Sequence, residues 1–527
     1  MPTHCSQDSF DFGTVERRQV VGAFDGGEIT SDAGALLLGQ ADAAIGLVSR
    51  LAGCFQDGRS PAFVVHQLPA MLRQRNFGIA LGYEDIVDHD QLRHDPVLGV
   101  LGSSLTSKRR DCAPLAGKST LNRLEHAAKA GSDPYHKITH DPAAIERLFV
   151  TLMMEASVAP DGAPPRQLII DLDATHDPIH GQQEGRNFNA FYDCYCYLSL
   201  YIFAGRHLLA AKLRSADKDA ADGAKDEIAR ITSQIRERWP HVRIILRADS
   251  GFACDDLMAW CEANDVDFLF GLAKNSRLVG AIERQLGRAC LASRRTGRAA
   301  RRFTELKNWD TVDGWAKPRR VIAKAEWTEG RANPRFLVTS LHWTDGDARK
   351  LYEDIYCARG EMENRIKECQ SDLFAGRTSA ASMRANQLRL WFAASAYVVM
   401  AALRRIGLAG TELARDVRHH PAQAVEDRRL DYQERAARED RIRVLVSASG
   451  NLCHRPPPAP THRAGSASST RHDRGRDGSS PPRPPNRAGG FPAYGLYGAF
   501  FVKGSEYHCV GLLPYFLFFL SAVHSLV

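Results

Sequence analysis

Apolar residues recur at helical spacing in the first part of the chain and at strand spacing in the middle. Ala33-Gly-Ala-Leu-Leu-Leu, Phe63-Val-Val-His-Gln-Leu and Ala70-Met-Leu-Arg-Gln-Arg predict helices, so residues 1–160 read as a mostly helical region. Ser119-Thr-Leu-Asn-Arg-Leu-Glu predicts a helix start, capped by Ser119 or Thr120 with Glu125 early in the helix. From Gln167 the pattern changes. Leu168–Asp173, Tyr192–Phe203 and His207–Leu213 predict strands, the last two joined by a turn at Gly205-Arg206. Asp226–Trp239 predicts a helix, because Ile228, Ile231, Ile235 and Trp239 share one face. Val242–Ala248 predicts a fourth strand, Met258–Asn264 a helix and Asp267–Leu272 a fifth strand. The runs Phe303–Val312, Arg320–Thr328 and Arg335–Trp343 predict a β-rich insertion. Ala348–Cys369 and the apolar Ser382–Arg405 predict closing helices.

Composition narrows the class. The 527 residues are 44% hydrophobic and 25% charged, values of a globular protein of several domains. A net charge of +7 says little by itself, but its distribution is uneven. Nine basic residues and one acid, Glu283, fall between Lys274 and Arg302. Twelve cysteines without a Cys-x-x-Cys pair predict buried thiols in a reducing, cytoplasmic setting. Gly117-Lys118-Ser119 is not a phosphate loop, because Cys112 occupies the place of the motif's first glycine. Met1–Gly13 lacks the basic and apolar regions of a secretory signal.

Three acids stand out by position. Asp173 ends the first predicted strand, Asp249 ends the fourth, and Glu363 lies on a helix. In a sheet where the first and fourth strands are neighbours, Asp173 and Asp249 meet. Carboxylates that close repel unless a divalent cation neutralises them, and two such cations a few ångström apart suit in-line displacement at phosphorus. At about 100° per residue, Tyr356, Arg359, Glu363 and Lys367 project near 0°, −60°, −20° and +20°, while Glu361 and Glu368 point elsewhere. Glu363 then joins a metal site while Arg359 and Lys367 contact phosphates, with Asn364 orienting a neighbour. Asp171 faces the same side as Asp173, and strand geometry barely separates the two. The bland readings are a turn residue at Asp249 and a solvated ion-pair stripe on the helix.

Together these residues resemble the DDE transposases of bacterial insertion sequences that carry a Tyr–Arg–Glu–Asn signature, most of all the insertion-sequence family numbered 1380. The signature stands here as Tyr356, Arg359, Glu363 and Asn364. Arg247-Ala-Asp249-Ser-Gly-Phe252 and Asp173-Ala-Thr175-His-Asp-Pro-Ile-His-Gly match the blocks around the two other acids. Ala80-Leu-Gly-Tyr-Glu-Asp85, Leu92-Arg-His-Asp95 and Lys118–Glu125 match in the N-terminal region.

The resemblance implies an α/β fold: a ribonuclease-H-like catalytic core with a β-strand insertion, preceded by a helical DNA-binding region. It implies catalytic, metal-holding acids at Asp173, Asp249 and Glu363, and favours Asp173 over Asp171. It implies Mg²⁺, with Mn²⁺ substituting, and DNA-phosphate contacts from Tyr356, Arg359 and Lys367, with Asn364 alongside. Some relatives place a second lysine seven residues after the glutamate, where this chain has Gln370. Trp309, Trp315 and Trp327 are the candidates for stacking on a flipped base. Recognition helices are expected at Lys118–Glu125 or Leu72–Phe77. The partners implied are double-stranded DNA, as terminal inverted repeats and as target, and a second copy in a homodimer. The expected location is cytoplasmic and nucleoid-associated, with no membrane.

The expected divisions are a helical DNA-binding region at 1–160, core at 161–273 and 346–415, a basic β-rich insertion at 274–345 and a divergent tail at 416–527. Nine of the 25 prolines lie between Pro456 and Pro492, in a stretch too polar to bury a core. With permissible codons, another reading frame after Arg415 yields a segment that resembles the family's ending. The tail is therefore expected to be out-of-frame translation and disordered, and apolar Val510–Val527 not to be a membrane span. Two rivals use the same residues: a nuclease that cuts without joining, and an inactive DNA-binding relic.

Overall fold

The computed structural model describes residues 9–15, 18–23, 28–104, 112–126, 136–311, 314–328, 330–407, 500–503 and 506–509. Two compact units are present: Met1–Gly27 with His419–Ala493, and Glu28–Arg418 with Tyr494–Val527. The described part of the first is an antiparallel hairpin, Ser9–Val15 with Arg18–Ala23, within the stretch expected to be helical. In the second, Phe500–Lys503 pairs with Glu506–Cys509 and with Glu28–Thr30. The Pro/Arg-rich stretch and Val510–Val527 lie outside the described residues.

The second unit is built on a ten-stranded mixed sheet. In chain order its strands are β1 Gln167–Pro178, β2 Asn187–Asn189, β3 Cys194–Ala204, β4 His207–Lys212, β5 Arg243–Ala248 and β6 Val266–Leu272. They continue with β7 Ala300–Trp309, β8 Arg319–Thr328, β9 Arg331–Ala332 and β10 Arg335–Thr339. The order across the sheet is β7-β8-β10-β6-β5-β1-β3-β2, with β4 also on β3 and β9 on β8. β1 and β5, the first and fourth strands of the sequence reading, are parallel neighbours, with Leu172 opposite Ala248.

Alternation along these strands decides the two faces. Leu168, Ile170 and Leu172 of β1 and Ile244, Leu246 and Ala248 of β5 point to one side. There they pack with Ile228, Ile231 and Ile235 of the helix Ala224–Arg238. Ile169, Asp171 and Asp173, with Ile245, Arg247 and Asp249, point to the other side. That side carries the helical run 348–372. The N-terminal helices Ala35–Ile45 and Leu68–Ala80 share a core with the long helix Met383–Ile406.

Four expectations change. The strands β7, β8 and β10 do not form a separate β insertion but extend the main sheet beyond β6. The basic run before them is helical, over Ser276–Ala281 and Glu283–Thr296. Its Leu278, Ile282, Leu286 and Ala289 recur at helical spacing and are buried against the sheet, which leaves Arg284, Arg288 and Arg295 outside. The helix Lys118–Glu125 begins at Gly117, with no side-chain cap from Ser119 or Thr120. Its Glu125 is the last residue, buried and paired with Arg75 and Arg389. Arg75 and its neighbours Leu72, Asn76 and Phe77 are likewise buried. The segment Leu72–Phe77 therefore has no free face with which to read DNA.

Candidate active site

The site lies where β1 and β5 end their pairing. After Leu172 and Ala248, β1 runs on to Pro178 paired only with β3, while β5 turns into the short 3₁₀ helix Ser250–Phe252. Asp173 thus sits at the open shoulder of a longer strand and not at a strand end. Asp249 is the N-cap of the 3₁₀ turn, its Oδ1 accepting from the Gly251 amide at 2.9 Å. The turn hydrogen bond uses Oδ1 of Asp249 and leaves Oδ2 for the approach of Arg359. Carboxyl ends of adjacent parallel strands are where open α/β sheets place ligands.

Arg359 draws the acids together. Its Nη1 donates to Asp173 Oδ2 at 3.2 Å and lies 3.7 Å from Glu363 Oε1, while its Nη2 is 4.0 Å from Asp249 Oδ2. Strand, strand and helix each deliver one carboxylate to a single buried guanidinium. Burial pushes the Asp173 carboxyl up to about 6; Arg359 opposes this, and Asp249 and Glu363 add to it. For Arg359, burial works against the charge. The carboxylates of Asp173, Asp249 and Glu363, with Tyr356, outweigh burial and hold its pKa above the ordinary value.

The helix is not the uniform one that wheel arithmetic assumes. It is a π-helix over Leu351–Tyr356, 3₁₀ over Cys357–Arg359, α over Gly360–Lys367 and π again over Glu368–Asp372. Irregular turns of this kind recur at functional sites. Glu363, Asn364 and Lys367 are exposed beyond the acids, and among the described residues Asn364 and Lys367 make no ion pair. Tyr356 is partly buried and reaches Gly271 of β6.

Several supporting residues carried a signal that single-residue reading missed. Arg247 is a charge in an otherwise apolar strand. It forms a bidentate pair with Asp171, Nε–Oδ1 2.5 Å and Nη2–Oδ2 2.8 Å, and also donates to the carbonyl of Ile355. Asp171 is thereby consumed, and Asp173 alone of the two faces the site. Gly271 interrupts the apolar run Phe268-Leu-Phe-Gly-Leu272. A Cβ there would stand 2.8 Å from the Ser250 nitrogen, 2.8 Å from Tyr356 Oη and 3.1 Å from the Asp249 carbonyl carbon. Gln370, at the place where some relatives have lysine, turns inward and donates to buried Asp177 at 2.9 Å.

The tryptophans separate by position. Trp327 lies at the end of β8 that sits beside the carboxyl end of β6, whereas Trp309, opposite Arg319, lies at the other end. Trp309 and Trp315 pack against the core with Arg277 and Arg319 over their rings. The two are therefore not available to a base at the acids.

The family description "Transposase DDE domain group 1" matches residues 12–419, across both the helical region and the whole sheet. The chain belongs to this DDE transposase family. No curated protein matches it. Among solved structures, it is similar to the piggyBac transposase of a cryo-EM synaptic complex with hairpin DNA. That likeness is 12% in identity, covers 80% of this chain and 87% of the other, and has a TM-score of 0.35.

DDE transposases in general use divalent metal, and the donor set fits one. Three hard carboxylate oxygens surround one positive charge, which is the ligand chemistry of Mg²⁺ and Mn²⁺. Among the described residues, however, no three His, Cys, Asp or Glu side chains are already drawn together tightly enough to hold an ion. The guanidinium of Arg359 stands between the acids instead. No helix among the described residues is long and apolar enough to cross a membrane.

Proposed function

We propose that this chain is the transposase of an insertion sequence in the Tyr–Arg–Glu–Asn group, allied to the family numbered 1380. Its catalytic acids are Asp173, Asp249 and Glu363 on a ribonuclease-H-like core. The order β4-β3-β1-β5-β6, antiparallel across the first three strands and parallel across the last three, supports that core. The observation that carries the reading is the convergence of the three carboxylates within 4.0 Å of one guanidinium.

The reaction is hydrolysis of a phosphodiester at the element's end, followed by attack of the freed 3′-hydroxyl on a target phosphodiester, whose own 3′-oxygen leaves as the new bond forms. Asp173, Asp249 and Glu363 would hold Mg²⁺ or Mn²⁺, which would supply charge stabilisation for the attacking and leaving oxygens. The chain's own residues position the DNA. Arg359 turns from the acids to a phosphate, Lys367 and Tyr356 hold the backbone beside it, and Asn364 orients the strand. Gly271 lets Tyr356 approach the Asp249 backbone. Two ends cut together make a homodimer on DNA the working unit.

The test is cleavage and strand transfer on DNA carrying the sequences that flank this gene, with Mg²⁺ or Mn²⁺. Asp173→Asn, Asp249→Asn and Glu363→Gln should each abolish both steps while DNA binding persists. Cleavage without joining would assign a nuclease, and cleavage that survives Asp249→Asn would end the proposal.

A further inference from the structure

Among the described residues, Arg214 is a buried charge, 8% exposed, with no carboxylate in ion-pair reach. It follows the end of β4 at Lys212. Its Nε donates to the carbonyl of Leu198 on β3 at 3.0 Å. Its Nη1 donates to the carbonyls of Ala220 and Asp222 at 3.0 and 2.5 Å. Its Nη2 is buried and has no partner among the described residues. Burial lowers its pKa to about 10, and the charge of Asp222 acts against that. A charge buried on carbonyls alone is costly compared with a well-packed apolar side chain. What the guanidinium provides is a fixed path for the backbone it gathers.

That backbone is the link 213–223 between β4 and the helix Ala224–Arg238. Its first half is stitched down by other groups. The Leu213 amide donates to Gln387 at 2.7 Å, Ser215 bridges to Tyr197, and Asn189 donates to the Ala216 carbonyl. Asp217, Lys218 and Asp219 are exposed. Arg214 then draws residues 220–222 back, and this return ends at the active site. A Cβ on Gly251 would stand 2.9 Å from the Ala220 Cβ and 3.2 Å from Asp249 Oδ1. The Gly251 amide is the group that donates to that same oxygen. The contact falls where the sheet stops helping. The pairing of β5 ends at Ala248 toward both β1 and β6, so no ladder bond holds Asp249. The turn after Asp249 meets two close neighbours instead: Gly271 of β6 at Ser250, and Ala220 at Gly251.

We infer that Arg214 is a positioning residue, which sets the Asp249 carboxylate through Ala220 and the Gly251 turn. That role rests on the active-site reading above, which takes Asp249 as a ligand of the cation. Lysine cannot replace the planar fork that spans carbonyls on β3 and on the returning link. An apolar residue would leave the three carbonyls unanswered. Either change frees Ala220 to move, and the Gly251 turn loses one of its two supports.

The test uses the full chain and three readouts: Mn²⁺ affinity by electron paramagnetic resonance, amide exchange over 249–252 without metal, and kcat and KM for DNA cleavage. Arg214→Lys should bind Mn²⁺ about tenfold more weakly, as loss of an outer support of a metal ligand does. It should speed exchange over 249–252 and lower kcat while the KM for DNA holds. Gly251→Ala should weaken Mn²⁺ binding to a similar degree, and adding Ala220→Gly should recover most of it by removing the methyl that the new one meets. In the Arg214→Lys background Gly251→Ala should cost less than about twofold more, because the freed link yields. Unchanged Mn²⁺ affinity and unchanged exchange in Arg214→Lys would overturn the inference, as would full multiplication of the two effects. Should Arg214→Lys not fold, the Gly251→Ala and Ala220→Gly pair decides, and absence of rescue overturns the inference. If Asp249→Asn leaves Mn²⁺ affinity unchanged, the active-site reading is what has failed; the metal-free exchange readout still judges the link between Arg214 and Gly251.

Discussion

Replacing Arg359 by glutamine should tighten divalent-cation binding while abolishing DNA cleavage. In the metal-free protein the guanidinium neutralises Asp173, Asp249 and Glu363 from 3.2, 4.0 and 3.7 Å. A cation that takes up the same carboxylates must displace or tolerate that charge. One pair of unit charges at about 4 Å interacts by about 4 kcal/mol at an effective dielectric of about 20. Solvent cuts this, because the Asp249 and Glu363 side chains are 42% and 53% exposed. A net gain of about 1.4 kcal/mol, tenfold in affinity, is what remains. The measurement is Mn²⁺ titration by calorimetry or electron paramagnetic resonance at about pH 8, where Asp173 is ionised. Arg359 is also the group that opposes the upward shift of Asp173, so in the variant Asp173 takes up its proton at higher pH and the gain shrinks near pH 6. Weaker or unchanged Mn²⁺ binding by a folded Arg359→Gln would refute the idea that the guanidinium acts as the internal counter-ion. Undiminished cleavage would refute its role on DNA.

Arg247→Met should destabilise the protein by about 3–5 kcal/mol in urea denaturation, because it leaves the buried Asp171 carboxylate unpaired. The double change with Asp171→Leu should recover most of that loss, and an equal loss in both variants would sink the account. Gly271→Ala should lower stability by about 1–3 kcal/mol and weaken Mn²⁺ binding, since the new methyl collides with backbone that carries Asp249. Burial pushes both Asp173 and Asp177 up to about 6, so each favours folding when protonated. That contribution, at most about 3 kcal/mol each, is full below about pH 4 and is lost as pH rises through about 6. Thermal melts in chelator should fall over that window, and added Mg²⁺ should restore stability above it. Gln370→Lys should flatten the Asp177 share of this fall, because an ammonium beside Asp177 favours its charged form; an unchanged pH profile would count against the contact.

Period-2 alternation carried most of what was legible. Leu168–Asp173 and Val242–Asp249 each place apolar residues on one side and charged ones on the other, so the two acids share a face before any coordinates are known. What alternation lacks is the partner of each acid. Asp171 and Asp173 are equivalent by spacing, and only Arg247, 76 positions away, separates them. The helix wheel simplifies the turns while still pairing Arg359 with Glu363. Its 100° step assumes one hydrogen-bond pattern, whereas π and 3₁₀ turns precede Gly360 and a π turn follows Lys367. The basic run 274–302 is helical because Leu278, Ile282, Leu286 and Ala289 recur at helical spacing, an apolar stripe set among nine basic residues. That β7, β8 and β10 join the main sheet depends on which edge strand is free, and no local pattern contains that.

The supporting contacts share a logic that the acids alone do not reveal. The helical run is fastened at one end by Arg247 to the carbonyl of Ile355 and by Tyr356 over Gly271, and at the other by Gln370 to β1. Both fastenings end on the two strands that carry Asp173 and Asp249 or on the strand beside them. Between them, Glu363, Asn364 and Lys367 are exposed, and among the ion pairs and hydrogen bonds of the described residues only Arg359 engages Glu363. The two aspartates are therefore fixed by sheet register while the glutamate is fixed only in its backbone. Its side chain is the adjustable member of the three. Tight backbone placement with one free carboxylate is the arrangement expected of a site that must exchange an internal cation for an external one without moving its strands.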